Sequence, residues 1–157
     1  MRYLIDGYNL FFQLQEIILP LEKKREEFIA LVDRELGNSG LQAVMVFDSH
    51  QENSSDFASQ KHYKHLEVVF SPKGLSADRY LLELLEWNAR NTTLVTSDQS
   101  LCKKGKQLGA KILTVKGFVS YIWKRTRKKQ TDEKPSQPES KAMMRRYLEA
   151  FEKTDES

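Results

Sequence analysis

Short apolar runs alternate with longer amphipathic segments along most of the chain. Runs that are apolar at nearly every position are typical of strands covered on both faces, as in a parallel sheet. Each run is bounded by turn-forming or polar residues. This pattern predicts five strands, at residues 3–5, 41–47, 66–70, 93–96 and 112–115.

Between these runs, apolar residues recur every three or four positions, which indicates helices with one buried face. The first predicted helix starts near Pro20 and stops just before Gly37, and the next is capped by Ser76. A third covers residues 101–108 before Gly109, and a last one begins at Phe118. Strands alternating with helices predict an α/β fold, a three-layer α/β/α sandwich around a central parallel sheet of about five strands.

The composition changes beyond residue 129, where Pro135 and Pro138 stand among small polar and charged residues. We interpret residues 1–129 as one domain and residues 130–140 as a linker. Residues 141–157 carry apolar positions at helical spacing and predict a short C-terminal amphipathic helix. A helix of this length is marginal alone, so we expect it to pack in cis or on a protein partner.

The composition fits one globular domain of 157 residues. No apolar run approaches the roughly 18 residues that a membrane span needs, so we expect no membrane partner. Asp6 follows Met1 too closely for a signal peptide. The single Cys102, which we expect in the core, has no intrachain partner and favours a reducing compartment. These features predict a cytoplasmic protein.

The net charge of +3 is distributed unevenly. Residues 99–131 hold ten Lys and Arg and no acid, so the rest of the chain has a net charge of −7. Such a segment is typical of a polyanion-binding face, although a solvated basic surface is an equal alternative. With Lys73 in the loop before the Ser76 helix, the candidate RNA-binding residues are Lys103, Lys104, Lys106, Lys124, Arg125, Arg127, Lys128 and Lys129.

Acidic residues follow the predicted strands. Asp6, Asp48 and Asp98 each come at or just after a strand, and Asp78 lies in the first turn of a helix that starts at the same edge. The carboxyl ends of parallel strands form the usual ligand site of such folds. One Asp is often only a helix cap, but four at one edge repel each other unless a cation lies between them.

Oxygen ligands without His or Cys favour Mg²⁺ or Mn²⁺ as the cofactor. Four carboxylates would suffice for one ion or for a pair about 3.5–4 Å apart. An acidic metal site beside a basic segment fits phosphodiester hydrolysis, because the cations hold the nucleic-acid backbone while the metal activates water.

Four segments resemble the YacP-like branch of the NYN domains, relatives of the PIN nucleases. They are Leu4-Ile5-Asp6-Gly7-Tyr8-Asn9-Leu10, Val46-Phe47-Asp48, Ser76-Ala77-Asp78-Arg79-Tyr80 and Val95-Thr96-Ser97-Asp98. The resemblance covers roughly residues 1–122. It implies a PIN-like fold, an acidic Mg²⁺ or Mn²⁺ site and endoribonuclease activity.

The resemblance also implies a role for each matching residue. Asp6 and Asp98 look like primary metal ligands, and Asp78 looks like a ligand or a holder of metal-bound water. Asp48 looks more peripheral. Asn9 matches a residue that orients Asp6 or touches phosphate. Ser97 matches the small hydroxyl residue that precedes the last acid.

The leading hypothesis is therefore a metal-dependent endoribonuclease that cuts single-stranded or loop RNA, with mRNA as the expected substrate and the ribosome as a candidate partner. The first alternative is a non-catalytic RNA-binding or ribosome-associated module. The second is a receiver-type phosphoacceptor domain, which Lys116 would suit. A receiver has paired acids after its first strand, whereas this chain has only Asp6-Gly7. A haloacid-dehalogenase-type phosphatase would need an Asp-x-Asp there.

Two weaker candidates lie near the predicted acidic edge. Tyr8, Phe11 and Phe12 are candidates to stack on RNA bases, although we expect at least one of them in the core. His50 is close to the predicted site, but its spacing to the other histidines is not that of a metal site.

Overall fold

The computed structural model describes residues 2–14, 21–48 and 59–132. The strands are β1 (Arg2–Asp6), β2 (Ala43–Phe47), β3 (Ser59–His62), β4 (Leu66–Phe70), β5 (Thr92–Val95) and β6 (Lys111–Leu113). The helices are α1 (Gly7–Leu14), α2 (Leu21–Ser39), α3 (Ala77–Asn88), α4 (Gln99–Gln107) and α5 (Val115–Asp132). A single 3-10 turn (Ala89–Asn91) precedes β5. His50, most of the predicted linker and the predicted C-terminal helix lie outside the described residues.

The strands form one sheet in the order β3-β4-β2-β1-β5-β6. All neighbouring pairs are parallel except β3 and β4, which are antiparallel. The predicted α/β sandwich is confirmed, but the sheet has six strands rather than five. β3 was not predicted because its residues are all exposed and polar. Backbone pairing with the edge of β4, rather than burial, makes it a strand.

Helices cover both faces of the sheet. The helices α1, α2 and α5 pack on one face, around a core that contains Ile5, Phe28 and Phe118. On the other face α3 and α4 pack around Leu4, Leu81 and Leu94. Neighbouring residues such as Leu4 and Ile5 belong to different cores because successive side chains of a strand point to opposite faces.

Several predicted boundaries were wrong, including the start of the last helix, which lies at Val115 rather than Phe118. The first long helix continues past Gly37 to Ser39, and Gly40 takes the positive φ of 74° that ends it. A Cβ atom at Gly37 would lie 2.6 Å from the imidazole of His65, so this glycine serves close packing. The fifth predicted strand ends at Leu113, because α5 begins at Val115, and Thr114 Oγ1 caps it by accepting a hydrogen bond from the Gly117 N–H at 3.0 Å.

The last described helix carries the predicted basic cluster and continues to Asp132, past the predicted domain boundary at residue 129. Within the described ranges, no helix is both long and apolar enough to cross a bilayer.

Candidate active site

The strand order creates a cleft between the carboxyl ends of β1 and β5. These strands are neighbours, but the helices that follow them, α1 and α4, pack on opposite faces of the sheet. Ligands of open α/β sheets bind at such a switch point. Asp6 is the last residue of β1, and Asp98 follows β5 by three residues, so both acids lie at this cleft.

Gly7 allows the chain to turn from β1 directly into α1. A Cβ atom at this position would lie 2.8 Å from the ring of Phe47 and 2.8 Å from the carbonyl oxygen of Val46. Any larger residue would therefore push α1 away from β2. This close approach gives a physical reason for glycine directly after Asp6.

Asp6 is buried and held by hydrogen bonds. The hydroxyl of Thr96 donates to its Oδ2 at 3.1 Å, and the backbone N–H of Asn9 donates to the same carboxylate. Burial, together with the nearby carboxylates of Asp78 and Asp98, nevertheless raises the pKa of Asp6 to about 6, against the lowering effect of these bonds. The site thus concentrates negative charge that a cation would neutralise.

Asp98 has a structural contact as well as a place in the acidic cluster. Its carboxylate caps α4 by accepting a hydrogen bond from the N–H of Leu101 at 3.1 Å. Its own N–H donates to Thr96 Oγ1 at 3.1 Å. Thr96 therefore links the two acids, although sequence reasoning assigned it no role. The register that pairs Ile5 with Val95 brings Asp6 and Thr96 side by side.

Asn9 and Ser97 tie the loop after β5 to the neighbouring helices. Asn9 Oδ1 accepts hydrogen bonds from the N–H of Ser97 at 2.8 Å and from Gln13 Nε2 at 3.3 Å. Ser97 Oγ accepts from the N–H of Val115, at the start of α5, at 3.1 Å and donates to Gln13 Oε1 at 3.5 Å. Gln13 was not predicted; its signal is the four-residue spacing to Asn9 on α1.

Asp78 comes to the cleft from α3. Ser76 caps this helix by accepting from the Arg79 N–H at 3.3 Å, which places Asp78 in the first turn. Partial burial of the carboxylate raises the pKa of Asp78, and the charges of Asp98 and Asp48 raise it further. Lys104 on α4 lowers it. Asp78 therefore interacts electrostatically with each of the other three predicted acids, and Lys104 lies within range of Asp78.

The donor set fits a hard divalent cation by charge and by chemistry. In the described parts of the chain, however, no three His, Cys, Asp or Glu side chains are preassembled as a metal site. Mg²⁺ does not require such a cage, because it is usually bound by one or two carboxylates, with water and substrate phosphate completing its shell. Asp6, Asp78 and Asp98 are the side chains that would hold it.

The predicted RNA-binding residues do not form one surface. Since α4 and α5 pack on opposite faces of the sheet, their basic residues are separated as well. At 1.5 Å per residue, the basic end of α5 lies about 15 Å or more along the helix from Val115, which contacts the cleft. Exposed side chains of this set are Lys73, Lys103, Lys104, Lys106, Lys124, Arg127 and Lys128.

Arg125 and Lys129 are turned towards α2 rather than outwards. Arg125 Nε donates to the carbonyl oxygen of Ser39 at 3.0 Å, and its guanidinium lies 5.7 Å from the centre of the Tyr121 ring. Lys129 lies against Gly40, at the end of α2. The contacts of Arg125 secure α5 on the domain.

The aromatic residues of α1 differ in exposure. Phe11 is fully buried, as expected for at least one of the three, whereas Phe12 is 48% exposed. Tyr8 is half-buried, stacks on Phe12 at 5.5 Å and accepts a hydrogen bond from Arg25 Nη1 at 3.1 Å. Cys102 is also half-buried, with its Sγ 3.4 Å from the carbonyl oxygen of Thr96.

Comparisons with known proteins agree with this fold. The chain is similar to two crystal structures of Rae1 (YacP) from Bacillus subtilis. A mutant form is 21% identical with a TM-score of 0.63, covering 99% of this chain and 97% of that one. The other is 22% identical with a TM-score of 0.60, covering 100% and 95%. At this identity the similarity shows a shared fold. A comparison with curated proteins found no match.

The family model of the YacP-like NYN domain matches residues 3–156. The match extends well beyond residue 122, where the resemblance seen in the motifs ends. It contains every acid of the cleft and the hydrogen-bonded loops that hold them. The family implies a nuclease-like function that involves RNA. With its α/β sandwich and its acidic cleft between β1 and β5, the chain belongs to the YacP-like NYN domain family.

Proposed function

We propose that the protein is a metal-dependent endoribonuclease that hydrolyses phosphodiester bonds in single-stranded or loop RNA. The supporting observation is the group of four carboxylates at the switch point, in which the pKa of buried Asp6 is raised to about 6. Burying a carboxylate beside others is costly unless a cation neutralises them. A site of this kind is typical of metal-assisted chemistry.

Asp6, Asp78 and Asp98 are the proposed holders of Mg²⁺ or Mn²⁺, with Asp48 as a peripheral acid. When bound, the ion polarises the phosphoryl group and makes water a stronger nucleophile. Thr96 holds Asp6 and Asp98 through hydrogen bonds, and the bond between Asn9 and Ser97 fixes the loop that carries Asp98. Acids held in fixed positions favour the alignment of substrate that in-line attack requires.

The surface around the cleft supports RNA as the substrate. Lys104 is close enough to lower the pKa of Asp78, so its ammonium group is suited to a phosphate beside the cleft. Lys73 and Lys103 are exposed on the segments next to Asp78 and Asp98. Phe12 offers an exposed ring on the helix that follows Asp6, suited to stacking on an unpaired base.

The proposal includes mRNA as the substrate, the ribosome as a candidate partner and the cytoplasm as the compartment. An unpaired base is needed for stacking on Phe12, and mRNA is a source of single-stranded RNA. The lone Cys102 suits a reducing compartment.

The test is cleavage of an end-labelled RNA that contains both loops and helices, with Mn²⁺, with Mg²⁺ and with excess chelator. Wild type is compared with Asp98→Asn, because Asn caps a helix as well as Asp does but lacks the charge. Glu86→Gln, an exposed carboxylate on α3 outside the cleft, is the matched control. We expect metal-dependent cuts in loops by wild type and the control, and a loss of at least about 100-fold in Asp98→Asn.

The other outcomes separate the alternatives. RNA binding without cleavage under any metal would contradict the nuclease and favour a non-catalytic RNA-binding module. Equal cleavage by wild type and Asp98→Asn would show that the carboxylate cluster is not the active site.

A further inference from the structure

A polar groove of about 660 Å³ lies at the edge of the sheet opposite the acidic cleft. Its floor is formed by the amino-terminal ends of β1, β2 and β4. One wall is the turn at residues 62–65 between β3 and β4, and the other is the end of α3 with Asn88 and Asn91. Its volume is within the range of small-molecule and cofactor sites.

The turn that forms the first wall is held in place by hydrogen bonds. The Tyr63 N–H donates to the carbonyl oxygen of Leu66 at 2.8 Å, and the His65 N–H donates to Asp33 Oδ1 on α2 at 2.7 Å. The carbonyl oxygen of His65 accepts from the Ala43 N–H at 3.2 Å. The wall is thus organised before any ligand binds, which lowers the entropy cost of binding.

The groove carries three kinds of recognition group. Arg2 and Lys64 provide two positive charges against the single negative charge of Glu67. The ring of Tyr63, 39% exposed, provides an aromatic surface. Side-chain amides capable of both donating and accepting hydrogen bonds come from Gln42, Asn88 and Asn91.

The two asparagines retain hydrogen-bonding groups for a ligand. Asn91 Nδ2 donates to Asn88 Oδ1 at 3.4 Å, which uses one donor and one acceptor of the pair. Within the described ranges, the Asn88 amide nitrogen and the Asn91 amide oxygen make no further hydrogen bond. One amide donor and one amide acceptor on neighbouring side chains are the kinds of group that bond the edge of a nucleobase.

We propose that this groove binds a nucleotide. Arg2 and Lys64 take its phosphate, Tyr63 stacks on its base, and the Asn88–Asn91 pair bonds the edge of the base. The same chemistry is presented by a free mononucleotide and by one nucleotide within an RNA strand. Because a five-residue strand spans about 17 Å, a bound strand of RNA would be held well away from the acids at the other edge.

The end of α5 adds positive charge at this edge of the molecule. Arg125 contacts Ser39, and Lys129 lies against Gly40, just before the groove residue Gln42. The exposed residues Lys124 and Arg127 are on the same part of α5. Their field adds to that of Arg2 and Lys64 and favours a negatively charged ligand.

The experiment uses the full chain in excess chelator, so that no metal-dependent cleavage occurs. The probes are 5′-AMP, 5′-UMP and fluorescein-labelled decauridylate. Binding is followed by calorimetry or fluorescence anisotropy and by the NMR signals of the Asn side-chain amides. Lys64→Glu is compared with Lys111→Glu, a charge-matched control on β6 at the same edge but outside the groove.

We expect the Asn88 and Asn91 amide signals to shift on binding, and affinity to fall about tenfold in Lys64→Glu but less than about twofold in Lys111→Glu. These effects with mononucleotides identify a free nucleotide as a ligand. The same effects with decauridylate alone identify the RNA strand. If neither probe moves the amide signals, or if Lys64→Glu binds both as wild type does, the proposal is overturned. Because chelator is present throughout, this result is independent of whether the acidic cleft cuts RNA.

Discussion

The hydroxyl of Thr96 donates a hydrogen bond to Asp6 Oδ2 at 3.1 Å and accepts one from the N–H of Asp98 at 3.1 Å. One buried side chain therefore joins the end of β1 to the loop that carries the last acid of the cleft. The two acids are separated by more than ninety positions in sequence, and this hydroxyl sets their relative positions.

Replacing Thr96 by Val removes the hydroxyl and keeps the branched shape. We expect a loss of about 1–3 kcal/mol in the free energy of unfolding, since the Asp98 N–H loses its acceptor in a partly buried loop. The pKa of Asp6 should rise above its present value, because the Thr96 hydrogen bond lowers it. Urea unfolding and NMR titration of Asp6 measure the two effects.

Thr96→Ser is the matched control, since it retains the hydroxyl, and it should restore most of the stability and the pKa of Asp6. A Val variant that titrates at Asp6 like wild type would contradict the role assigned to Thr96.

Stability without metal should depend on pH through Asp6. Its pKa is raised from 3.8 to about 6, so between these values the folded protein binds more protons than the unfolded chain. The contribution of Asp6 to the free energy of unfolding is therefore favourable below about pH 4 and is lost as the pH rises to about 6. The loss amounts to about 3 kcal/mol at most.

Asp6→Asn removes this titration. In chelator, the difference in free energy of unfolding between Asp6→Asn and wild type should shift by about 2–3 kcal/mol in favour of the variant between pH 4 and pH 7. The hydrogen bonds lost in the variant add an offset that is the same at every pH. Denaturation curves at several pH values measure the difference. An offset that stays the same at every pH would show that Asp6 does not carry the effect.

A divalent cation should reverse the repulsion in the cleft. A ligand that binds only the folded state stabilises it by about 2.7 kcal/mol at 100 times its dissociation constant, so Mn²⁺ and Mg²⁺ should raise the Tm of wild type. The Asp98→Asn variant should lose most of this gain, whereas Glu86→Gln should keep it. Differential scanning fluorimetry gives the comparison. An equal gain in Asp98→Asn would place the cation outside the cleft.

Two basic residues of the charged segment should respond differently to loss of charge. Lys104→Gln removes a cation next to Asp78 and should weaken RNA binding, with the slope of log affinity against log salt falling by about 1. Arg125→Gln should instead lower the free energy of unfolding, because Arg125 bonds the Ser39 carbonyl oxygen and covers Tyr121.

Salt titrations and urea unfolding of both variants make the test. The assignment of Lys104 to RNA would be contradicted if its variant retained the wild-type salt dependence. If the Arg125→Gln variant were as stable as wild type but bound RNA more weakly, Arg125 would be assigned to RNA binding instead.

The sequence by itself determined the features that depend on local pattern. Apolar runs mark strands that are covered on both faces, which is why β1, β2, β4 and β5 were predicted near their observed positions. The edge at which Asp6, Asp48 and Asp98 lie also follows from the sequence, since the carboxyl ends of parallel strands share one side of a sheet. Exposed β3 has no such pattern and depends on its pairing with β4.

Only the tertiary structure decided which distant residues became neighbours. Strand order places β1 beside β5 and thereby brings Thr96 to Asp6, and nothing local to either segment encodes that pairing. One continuous basic segment is divided between two faces because α4 and α5 pack on opposite sides of the sheet. Gly37 lies inside a helix that was predicted to stop before it, and the ring of His65 packs against this glycine. In each case a contact between segments far apart in sequence outweighs the local preference.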